Sequence, residues 1–402
     1  MTSMISVEEA REAVLARAQP LPSEDVGLSD ALNRVLADPI ASPSDLPPFD
    51  TSAMDGFVIR QADLASLPVE MPISGTVYAG DPIPAPLPPG TAMGIMTGAP
   101  LPAGADAIVP VEWTERAGDR VRIDRAPTAH QFLRRRGSAV GHGDPLFGAG
   151  QHVTPAVIGM AAAVGQSSLR VVRRPKVAVI STGDELVSPG ESLTPGQIWD
   201  SNGPGLAAQV IAAGCSVDGP HRARDTAASV AAVLDASSTA DVLVIAGGVS
   251  MGERDLIRPE LEARGVEWDF WGVRQRPGKP FAFGALGPRP VFGLPGNPVS
   301  AAVGFEVYVR LLLDAMLGRT TPRAQIGRLS EPVSKPAGLH TFARVVATRD
   351  ATGALHLASA GPQGSHVART LSLSDGLAHL PADWTDAPAG AEVEFTPWRW
   401  RA

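Results

Sequence analysis

The sequence contains very little cysteine: Cys215 is the only one among 402 residues. A single thiol excludes an intrachain disulfide, a cysteine-rich zinc site and an iron–sulfur cluster. Any metal that the protein uses is therefore expected to be held by oxygen ligands or by a substrate.

Long hydrophobic runs are also missing, and the N-terminus has no basic region followed by an apolar stretch. The longest apolar run, near Ala156–Val164, is too short to span a bilayer. These features predict a soluble, cytoplasmic protein with no membrane segment. The net charge of −8 argues against a broad nucleic-acid-binding surface, which normally has an excess of basic residues.

Lysine is scarce as well. The 34 basic residues include three lysines, Lys176, Lys279 and Lys335, and the others are arginines. Arginine is thus the usual basic residue of this chain, so a lysine inside a motif is informative. The sequence has no Ser/His/Asp order, paired-histidine metal motif or Walker loop.

The length of 402 residues predicts two to four domains. Near the N-terminus, Ser6 and Glu9 form a capping-box pattern that predicts a helix ending by Pro20. Apolar spacing predicts a second helix over Leu28–Leu36, before a proline-rich segment at residues 43–48. We interpret that segment as a domain boundary.

The stretch from this boundary to about Gly137 is rich in glycine and proline and has short apolar runs such as Val69–Val77. This composition predicts a small β-rich insertion. A helix over Thr154–Val164 is then expected to rejoin the N-terminal segment.

From Pro175 onward, predicted strands alternate with predicted helices. Continuous apolar runs such as Val177–Ile180 and Val242–Ala246 are typical of strands buried on both faces. This alternation predicts a central three-layer α/β domain with a mostly parallel sheet. A hairpin is expected around Arg276–Pro280. After Pro322 the helical patterns stop, and the tail is predicted to be a separate β domain.

Four acidic residues and a glycine pair lie in the predicted loops of this α/β section. Parallel strands bring their carboxyl ends to one edge of a sheet, which is where open sheets bind ligands. Convergent carboxylates at that edge could hold Mg²⁺, and Gly247-Gly248 could hold an anion with exposed N–H groups. Singly, each acid could be a cap or a solvated loop residue, and the glycine pair a tight turn. The acids are Asp184, Glu185, Asp225 and Asp255.

Two readings of the stretch Gly293–Pro298 stay open from the residues alone. Asn297 and Pro298 are a good N-cap and a good first helical residue, so the stretch could simply start the last helix. That interpretation does not require the preceding pair Pro295-Gly296. The alternative is an oxyanion site, because this pair keeps the backbone rigid and open beside the start of the helix.

Lys279 lies within Pro277–Pro280, and its flexible point charge suits an oxyanion, although a solvated hairpin tip is the alternative. Arg134–Arg136 could be a solvated basic run or part of an anion site. Ser52–Gly56 and Met96–Pro100 lack helical or strand periodicity and are interpreted as turns.

Taken together, these motifs resemble those of the molybdopterin molybdenumtransferases, the MoeA and gephyrin E-domain family. The match in order and spacing runs from about Ser6 to Gly364–His366. The motifs that carry it are Pro48–Gly56, Met96–Pro100, Ser181–Leu186, Asp200–Asn202, Gly247–Gly252, Pro277–Pro280 and Gly293–Pro298.

The resemblance implies a multi-domain α/β plus β architecture. Its four parts would be an elongated N-terminal dimerisation segment (residues 1–45 with 138–173), a β-rich insertion (46–137), a molybdopterin-binding α/β domain (174–319) and a C-terminal β-barrel (320–402). The implied activity is insertion of molybdate into adenylylated molybdopterin, with Mg²⁺-dependent release of AMP. The implied partners are a second copy of the chain, and further the molybdopterin adenylyltransferase and recipient molybdoenzymes.

The family's site residues carry over position by position. Asp184, Glu185, Asp225 and Asp255 would surround the substrate pyrophosphate and Mg²⁺. Asp55 and Thr97 would form the opposing wall, supplied by the partner subunit, and both are expected to be catalytic together with Glu185, Asp225, Asp255 and Lys279. The residues expected to bind molybdopterin or molybdate are Asp184, Gly247, Gly248, Ser250, Arg276, Lys279, Pro295, Gly296, Asn297, Pro298 and Ser365.

The sequence departs from the family's pattern at two places. Ala139 stands where the family usually has an acidic residue, and Arg276 is the nearest basic residue where the family usually has a lysine before Pro277-Gly-Lys279. A scaffold or molybdopterin carrier that has lost catalysis is therefore one alternative. The other is the related molybdopterin adenylyltransferase, a single-domain enzyme with a similar Gly-Gly-Val-Ser loop.

Overall fold

The computed structural model describes residues 4–248 and 257–400. By contacts the chain divides into two compact units, one formed by residues 25–171 and the other by the residues before and after that segment. The four-domain division expected from the sequence stays a prediction. In the described part of the chain, no helix combines the length and the apolar character needed to cross a bilayer.

The chain begins with helix α1 (Val7–Ala16) and strand β1 (Ser23–Gly27). The predicted capping box is present, because the Oγ of Ser6 accepts from the N–H of Glu9 and the Glu9 carboxylate accepts from the N–H of Ser6. The apolar side of α1 joins the main core of the α/β region. The first predicted helix is therefore confirmed.

The second predicted helix, Leu28–Leu36, is wrong. A 3-10 turn covers Leu28–Asp30, and Asn33 then adopts a left-handed conformation with φ of 63°. Such a backbone ends a right-handed helix. Leu36 instead donates its N–H to Gln151 O at 2.9 Å and forms a bridge with Val171, so pairing with a distant segment replaces the helix.

Residues 25–171 are mainly β structure. Their largest sheet has the order β7-β4-β6-β5-β9-β8, in which β5 and β6 are parallel and the other neighbours antiparallel. Alternate residues of its strands enter two apolar clusters, which confirms the predicted β-rich insertion. The elements are β2 (Ile40–Ala41), β3 (Thr51–Ser52), β4 (Gly56–Ile59), β5 (Val69–Val77), β6 (Ala92–Ile95), β7 (Ala107–Pro110), β8 (Thr114–Ala117), β9 (Arg120–Ile123), β10 (Leu133–Arg134), β11 (Pro145–Phe147), α2 (Pro155–Ala163) and β12 (Ser168–Val172).

The α/β region follows. A six-stranded sheet has the order β16-β13-β17-β21-β20-β18. The strands β16, β13, β17 and β21 are parallel, whereas β20 is antiparallel to both of its neighbours, β21 and β18. The elements are β13 (Lys176–Thr182), β14 (Leu186–Val187), β15 (Ile198–Trp199), α3 (Asn202–Ala212), β16 (Ser216–Ala223), α4 (Ala227–Ala236), β17 (Val242–Ala246), α5 (Ile257–Ala263), β18 (Val266–Trp271), β19 (Gln275–Arg276), β20 (Ala282–Leu286), β21 (Arg289–Leu294), α6 (Pro298–Gly304), a π-helical turn (Phe305–Val309) and α7 (Arg310–Met316).

Helices cover both faces of this sheet. In β13, Val177 and Val179 enter the core shared with α3, α6 and α7, whereas Ala178 and Ile180 enter the core shared with α4 and α5. Successive side chains of a strand point to opposite faces, so an uninterrupted apolar run is needed where both faces are buried. The predicted three-layer α/β domain is confirmed.

The C-terminal strands close into a barrel. Its five strands pair around the ring in the order β22-β25-β24-β26-β28 and back to β22. One short helix, α8, occurs where the sequence predicted none after Pro322. The elements are β22 (Gln325–Leu329), β23 (Val333–Ser334), β24 (His340–Arg349), β25 (Leu355–Ser359), α8 (Arg369–Leu373), β26 (Gly376–Leu380), β27 (Asp386–Ala387) and β28 (Glu392–Pro397).

The predicted hairpin around Arg276–Pro280 is a ten-residue loop. Trp271 in β18 pairs with Ala282 in the antiparallel strand β20, so residues 272–281 connect them. Within that loop, β19 leaves the hairpin and pairs in parallel with β24 of the barrel. The loop is thereby attached to the α/β sheet at its ends and to the barrel in its middle.

Candidate active site

The loops after the parallel strands of the α/β sheet lie next to one another, as the sequence predicted. Asp184 follows β13 and Asp225 follows β16, and the Asp184 carboxylate accepts the N–H of Asp225 at 3.1 Å. Glu185 is exposed, and its carboxylate fills the space that a Cβ on Gly183 would occupy. The structure therefore brings Asp184 and Asp225 into contact and keeps Glu185 beside the end of β13.

Among the described residues, no group of three or more acidic, histidine or cysteine side chains is arranged to hold a metal. Asp255, the fourth predicted acid, and Ser250 lie outside the described residues. Asp184, Glu185 and Asp225 offer carboxylate oxygens, the donor type that Mg²⁺ prefers, and Mg²⁺ commonly takes one or two protein carboxylates together with water and substrate phosphates.

The two glycine-containing loops pack against each other. Gly247 N donates to Leu294 O at 3.0 Å, and a Cβ built on Gly296 would lie 3.8 Å from the Cα of Gly247. Gly247 has φ of 92°, and a Cβ there would lie 2.8 Å from Thr182 O, so this position needs glycine for both conformation and space. The result is an open stretch of main chain at the end of β17 and β21.

The motif Asp200–Asn202, whose role was not predicted from the sequence, connects these loops by hydrogen bonds. Ser181 Oγ donates to the buried carboxylate of Asp200 at 2.5 Å, and the other oxygen of Asp200 accepts the N–H of Gly203 at 2.9 Å. Asn202 Nδ2 then donates to Gly296 O at 2.7 Å. Asn202 begins α3 beside the same sheet edge, and this position was the sequence signal that could have identified its role.

Helix α6 starts at Pro298 with Asn297 in the N-cap position, but the Asn297 side chain makes no capping hydrogen bond. The structure thus confirms the start of the helix and leaves the Asn297 amide exposed at the loop. Pro295 is buried behind it. Ser365, from the barrel region, accepts the N–H of Val299 with its carbonyl oxygen at 3.2 Å. Ser365 is therefore beside the first turn of α6, and its role in binding molybdopterin or molybdate stays a prediction.

The buried guanidinium of Arg344 holds the segment that carries Ser365. It donates from Nη2 to Pro362 O and Gly364 O, both at 3.2 Å, and from Nε to Thr370 Oγ1 at 3.1 Å. Burial lowers the pKa of Arg344 to about 10, with a contribution from Arg276 nearby. No sequence signal distinguished Arg344 from the many other arginines.

Lys279 lies close to the start of α6, because a Cβ built on its neighbour Gly278 would be 3.6 Å from Ser300 O. Its side chain is exposed and has no hydrogen-bond or ion partner among the described residues. The other lysines do have partners: Lys176 Nζ is 3.1 Å from Asp218, and Lys335 Nζ donates to Leu339 O at 2.8 Å. The Arg276 side chain is also exposed, and its guanidinium has no hydrogen-bond or ion partner in the described part of the chain.

In the other unit, Asp55 and Thr97 form a pair. One carboxylate oxygen of Asp55 accepts both the N–H and the Oγ1 hydroxyl of Thr97, each at 2.7 Å. These two hydrogen bonds lower the pKa of the Asp55 carboxyl below its ordinary value. Both side chains are exposed. Two turns that lie 42 residues apart in the sequence are thereby joined.

The arginine run in the same unit is partly neutralised. Arg135 pairs with Asp50 and Arg136 with Asp45, each at 2.5 Å, while Arg134 is exposed. Burial alone would raise the pKa of the Asp50 carboxyl, but hydrogen bonds from Arg136 N and Arg135 lower it overall. Two of the three arginines therefore have structural partners. Ala139, which replaces the family's acid, is exposed.

Three family models match the chain: the MoeA N-terminal region (domain I and II) over residues 5–165, a probable molybdopterin binding domain over 178–315, and the MoeA C-terminal region (domain IV) over 327–398. Molybdopterin molybdenumtransferase 2 of Mycobacterium tuberculosis is 38% identical over 407 positions, with 97% of this chain and 99% of that protein covered. The molybdopterin molybdenumtransferase of Haemophilus influenzae is 34% identical, with 98% of each covered.

A crystal structure of a MoeA protein of molybdopterin biosynthesis from Pyrococcus horikoshii has a TM-score of 0.85 to this chain at 32% identity, and all of both chains is covered. The similarity thus extends over the β-rich insertion, the α/β domain and the barrel together. By sequence and by fold, the chain belongs to the molybdopterin molybdenumtransferases of the MoeA family and is a transferase of molybdenum cofactor biosynthesis.

Proposed function

We propose that this chain inserts molybdenum from molybdate into adenylylated molybdopterin and releases AMP, as a Mg²⁺-dependent cytoplasmic homodimer. The observation that supports this most is the arrangement at the carboxyl edge of the α/β sheet. There, Asp184 contacts Asp225, the Gly247 and Gly296 loops pack together, and Lys279, which has no ion partner in the described part of the chain, follows Gly278 beside the first turns of α6. A ligand that carries both phosphates and an oxyanion matches this combination of groups.

The glycine loops suit the pyrophosphate of the substrate. Gly247 and Gly296 have no side chains, so phosphate oxygens can approach the main chain closely. Asn202 holds Gly296 from behind through the 2.7 Å hydrogen bond, which keeps this surface in place before the substrate arrives. Fixed polar groups of this kind stabilise developing charge without reorganisation.

The acids suit a magnesium ion that is shared with the substrate. Asp184, Glu185 and Asp225 would hold it, together with Asp255, and the bound ion would neutralise charge on the pyrophosphate. Asp184 and Asp225 are kept adjacent by their own hydrogen bond, so the ion need not draw two mobile loops together. Glu185 is exposed beside the end of β13 and would add a third carboxylate at the same edge.

Lys279 suits the molybdate anion. An ammonium group is a compact charge on a flexible stem, so it can follow an oxyanion from solution to the pterin dithiolene. Ser365 bonds to Val299 in the first turn of α6, the helix that begins at Pro298, three residues after Pro295. Cleavage of the phosphoanhydride by water yields AMP and the phosphate of molybdopterin, and its free energy drives insertion of the metal.

Asp55 and Thr97 would complete the site from the partner subunit. Their mutual hydrogen bonds keep Asp55 ionised and fixed, because the pKa of its carboxyl is lowered by Thr97. A carboxylate held in this way can orient a polar group of the bound substrate. This role requires a dimer, in which each subunit contributes its insertion to the other's α/β domain.

Incubation with adenylylated molybdopterin, Mg²⁺ and molybdate tests the proposal. The expected products are AMP and molybdenum-containing cofactor in equal amounts, with AMP release dependent on molybdate. A second incubation with MgATP and molybdopterin separates the adenylyltransferase alternative, whose product would be adenylylated molybdopterin. Binding of the adenylylated substrate without AMP release would instead indicate a carrier.

A further inference from the structure

Gln275 is a polar residue with 1% of its surface exposed, and it lies in β19, in the middle of the loop that carries Lys279. Its Nε2 donates to Pro277 O at 3.1 Å and to Gly278 O at 3.2 Å. Its Oε1 accepts the hydroxyl of Tyr308. Both ends of the amide are therefore bonded, and the two carbonyl groups immediately before Lys279 are held by one side chain.

Tyr308, the donor to Gln275, occupies the π-helical turn Phe305–Val309 in the helix that starts at Pro298. Turns of this type are rare and frequently occur at functional sites. The ring of Tyr308 also packs against Phe281, with 4.5 Å between the ring centroids. Tyr308 thus contacts residues on both sides of Lys279 in the sequence, Gln275 before it and Phe281 after it.

The main chain of Lys279 is fixed as well. Its carbonyl oxygen accepts the N–H of Val273 at 3.1 Å and the N–H of Phe281 at 3.0 Å. Gly278 has φ of 87°, and a Cβ there would lie 3.0 Å from Gln275 Nε2. The loop therefore has an ordered backbone, while the Lys279 ammonium has no partner among the described residues.

We propose that Gln275 is a positioning residue for the transfer reaction: with Tyr308, it holds Pro277–Lys279 so that the Lys279 ammonium is presented to molybdate in advance. The inference rests on the role given to Lys279 in the proposed function. Without the amide, the carbonyl groups of Pro277 and Gly278 lose their donor, and this segment must become ordered when the anion binds. Ordering of a flexible segment upon binding lowers affinity, and a preformed loop avoids that loss.

Two variants and one control test this role in the full-length protein. Gln275→Met keeps the length of the side chain but cannot donate, and it is expected to raise half-saturating molybdate ~10-fold with kcat changed less than about twofold. Tyr308→Phe removes one oxygen and leaves the Gln275 donors, so a rise of about threefold is expected. The control is Gln209→Met, because Gln209 is a buried glutamine that donates to Ala302 O and to the Glu306 carboxylate in the same helix, and neither bond reaches the loop.

Hydrogen exchange followed by mass spectrometry reads the order of the loop without any substrate. The amides of residues 272–281 are expected to exchange faster in Gln275→Met than in the wild type and in Gln209→Met. A merely structural role would lower the melting temperature of both glutamine variants without this local difference. If Gln275→Met does not fold, Tyr308→Phe carries the same comparison.

Unchanged exchange in the loop would overturn the inference, whatever the activity. Faster exchange combined with unchanged half-saturating molybdate would also overturn it, because loop order would then have no bearing on the anion. A wild-type protein that transfers no molybdenum would contradict the proposed function, and the exchange comparison would still decide whether Gln275 orders the loop.

Discussion

At the scale of single residues, Lys279 is set apart by what surrounds it. Lys176 has a carboxylate partner, and Lys335 is surrounded by carbonyl oxygens, where burial lowers the pKa of its ammonium. Lys279 has neither in the described part of the chain, although its carbonyl oxygen accepts the N–H groups of Val273 and Phe281. A lysine whose main chain is held in place, and whose ammonium has no partner in the described part of the chain, is suited to binding an oxyanion that arrives from solution.

Replacement of Lys279 by arginine tests this. A guanidinium keeps the charge but prefers one planar, bidentate geometry. Lys279→Arg is expected to raise the molybdate concentration for half-maximal AMP release roughly tenfold, a loss of about 1.4 kcal/mol. Lys176→Arg is the matched control, since Lys176 lies on β13 with its own carboxylate partner. Equal effects in both variants would mean that Lys279 has no specific role.

The sequence revealed Lys279 because lysine is rare in this chain and the residue lies inside a motif. It could not reveal Gln275 and Tyr308, which are 33 residues apart. Their hydrogen bond depends on a π-helical turn and on a loop that leaves one hairpin to pair with the barrel. Neither feature produces a periodicity of apolar residues. The loops of Asp184 and Asp225 were predicted to lie together because each follows a parallel strand, and the Asp184 carboxylate does accept the N–H of Asp225.

At the scale of elements, the C-terminal barrel contains a histidine that remains neutral in the folded protein. His379 lies on β26 beside Phe342 and His340, and burial, with help from His340 and Arg11, lowers its pKa from 6.5 to about 3. The unfolded chain takes up a proton near pH 6.5, whereas the folded chain does not until about pH 3. Stability is therefore lost as the pH falls below 6.5, by about 2 kcal/mol at pH 5.

The measurement is the melting temperature from pH 7 to pH 4. His379→Gln cannot take up this proton, so its melting temperature is expected to fall less steeply with acid than that of the wild type. His366→Gln is the control, because His366 is exposed. Parallel curves for the wild type and His379→Gln would show that this histidine does not govern the acid sensitivity.

Helices with local start signals were predicted correctly, whereas one without such signals was not. The capping box at Ser6 and the Thr154 N-cap mark α1 and α2, and both helices form. The segment Leu28–Leu36 has helical apolar spacing and no capping pair, and it is extended and paired with a distant segment after Asn33. Capping hydrogen bonds can be predicted from residues that are neighbours in the sequence, whereas pairing between distant segments cannot.

At the scale of the whole molecule, the proposal makes each active site depend on two subunits. Asp55→Ala and Lys279→Ala are each expected to abolish AMP release. If Asp55 acts on the partner's site, a mixed dimer of the two variants contains one site with both residues intact. An equal mixture assembled together should recover about a quarter of the wild-type activity.

No recovery in the mixed dimers, or full activity in a protein that light scattering shows to be monomeric, would contradict the shared site. The sequence predicted the α/β domain from its alternating strands and helices, and the β-rich insertion and tail from their composition. Closure of the tail into a barrel was implied by the resemblance alone, because the pairing of β22 with β25 and β28 joins distant segments.

The central claim is that molybdenum transfer takes place at the acid-lined edge of the α/β sheet. It is tested most directly by comparing the wild type with Asp225→Ala for bound molybdenum and released AMP in a single turnover. Asp225 is half-buried in a loop, and its hydrogen bond to Asp184 comes from its main-chain N–H rather than its side chain. The substitution should therefore change the free energy of unfolding by less than about 1 kcal/mol. The account predicts equal, molybdate-dependent amounts of both products in the wild type and a loss of at least about 100-fold in the variant. Undiminished transfer by a folded Asp225→Ala protein would contradict it.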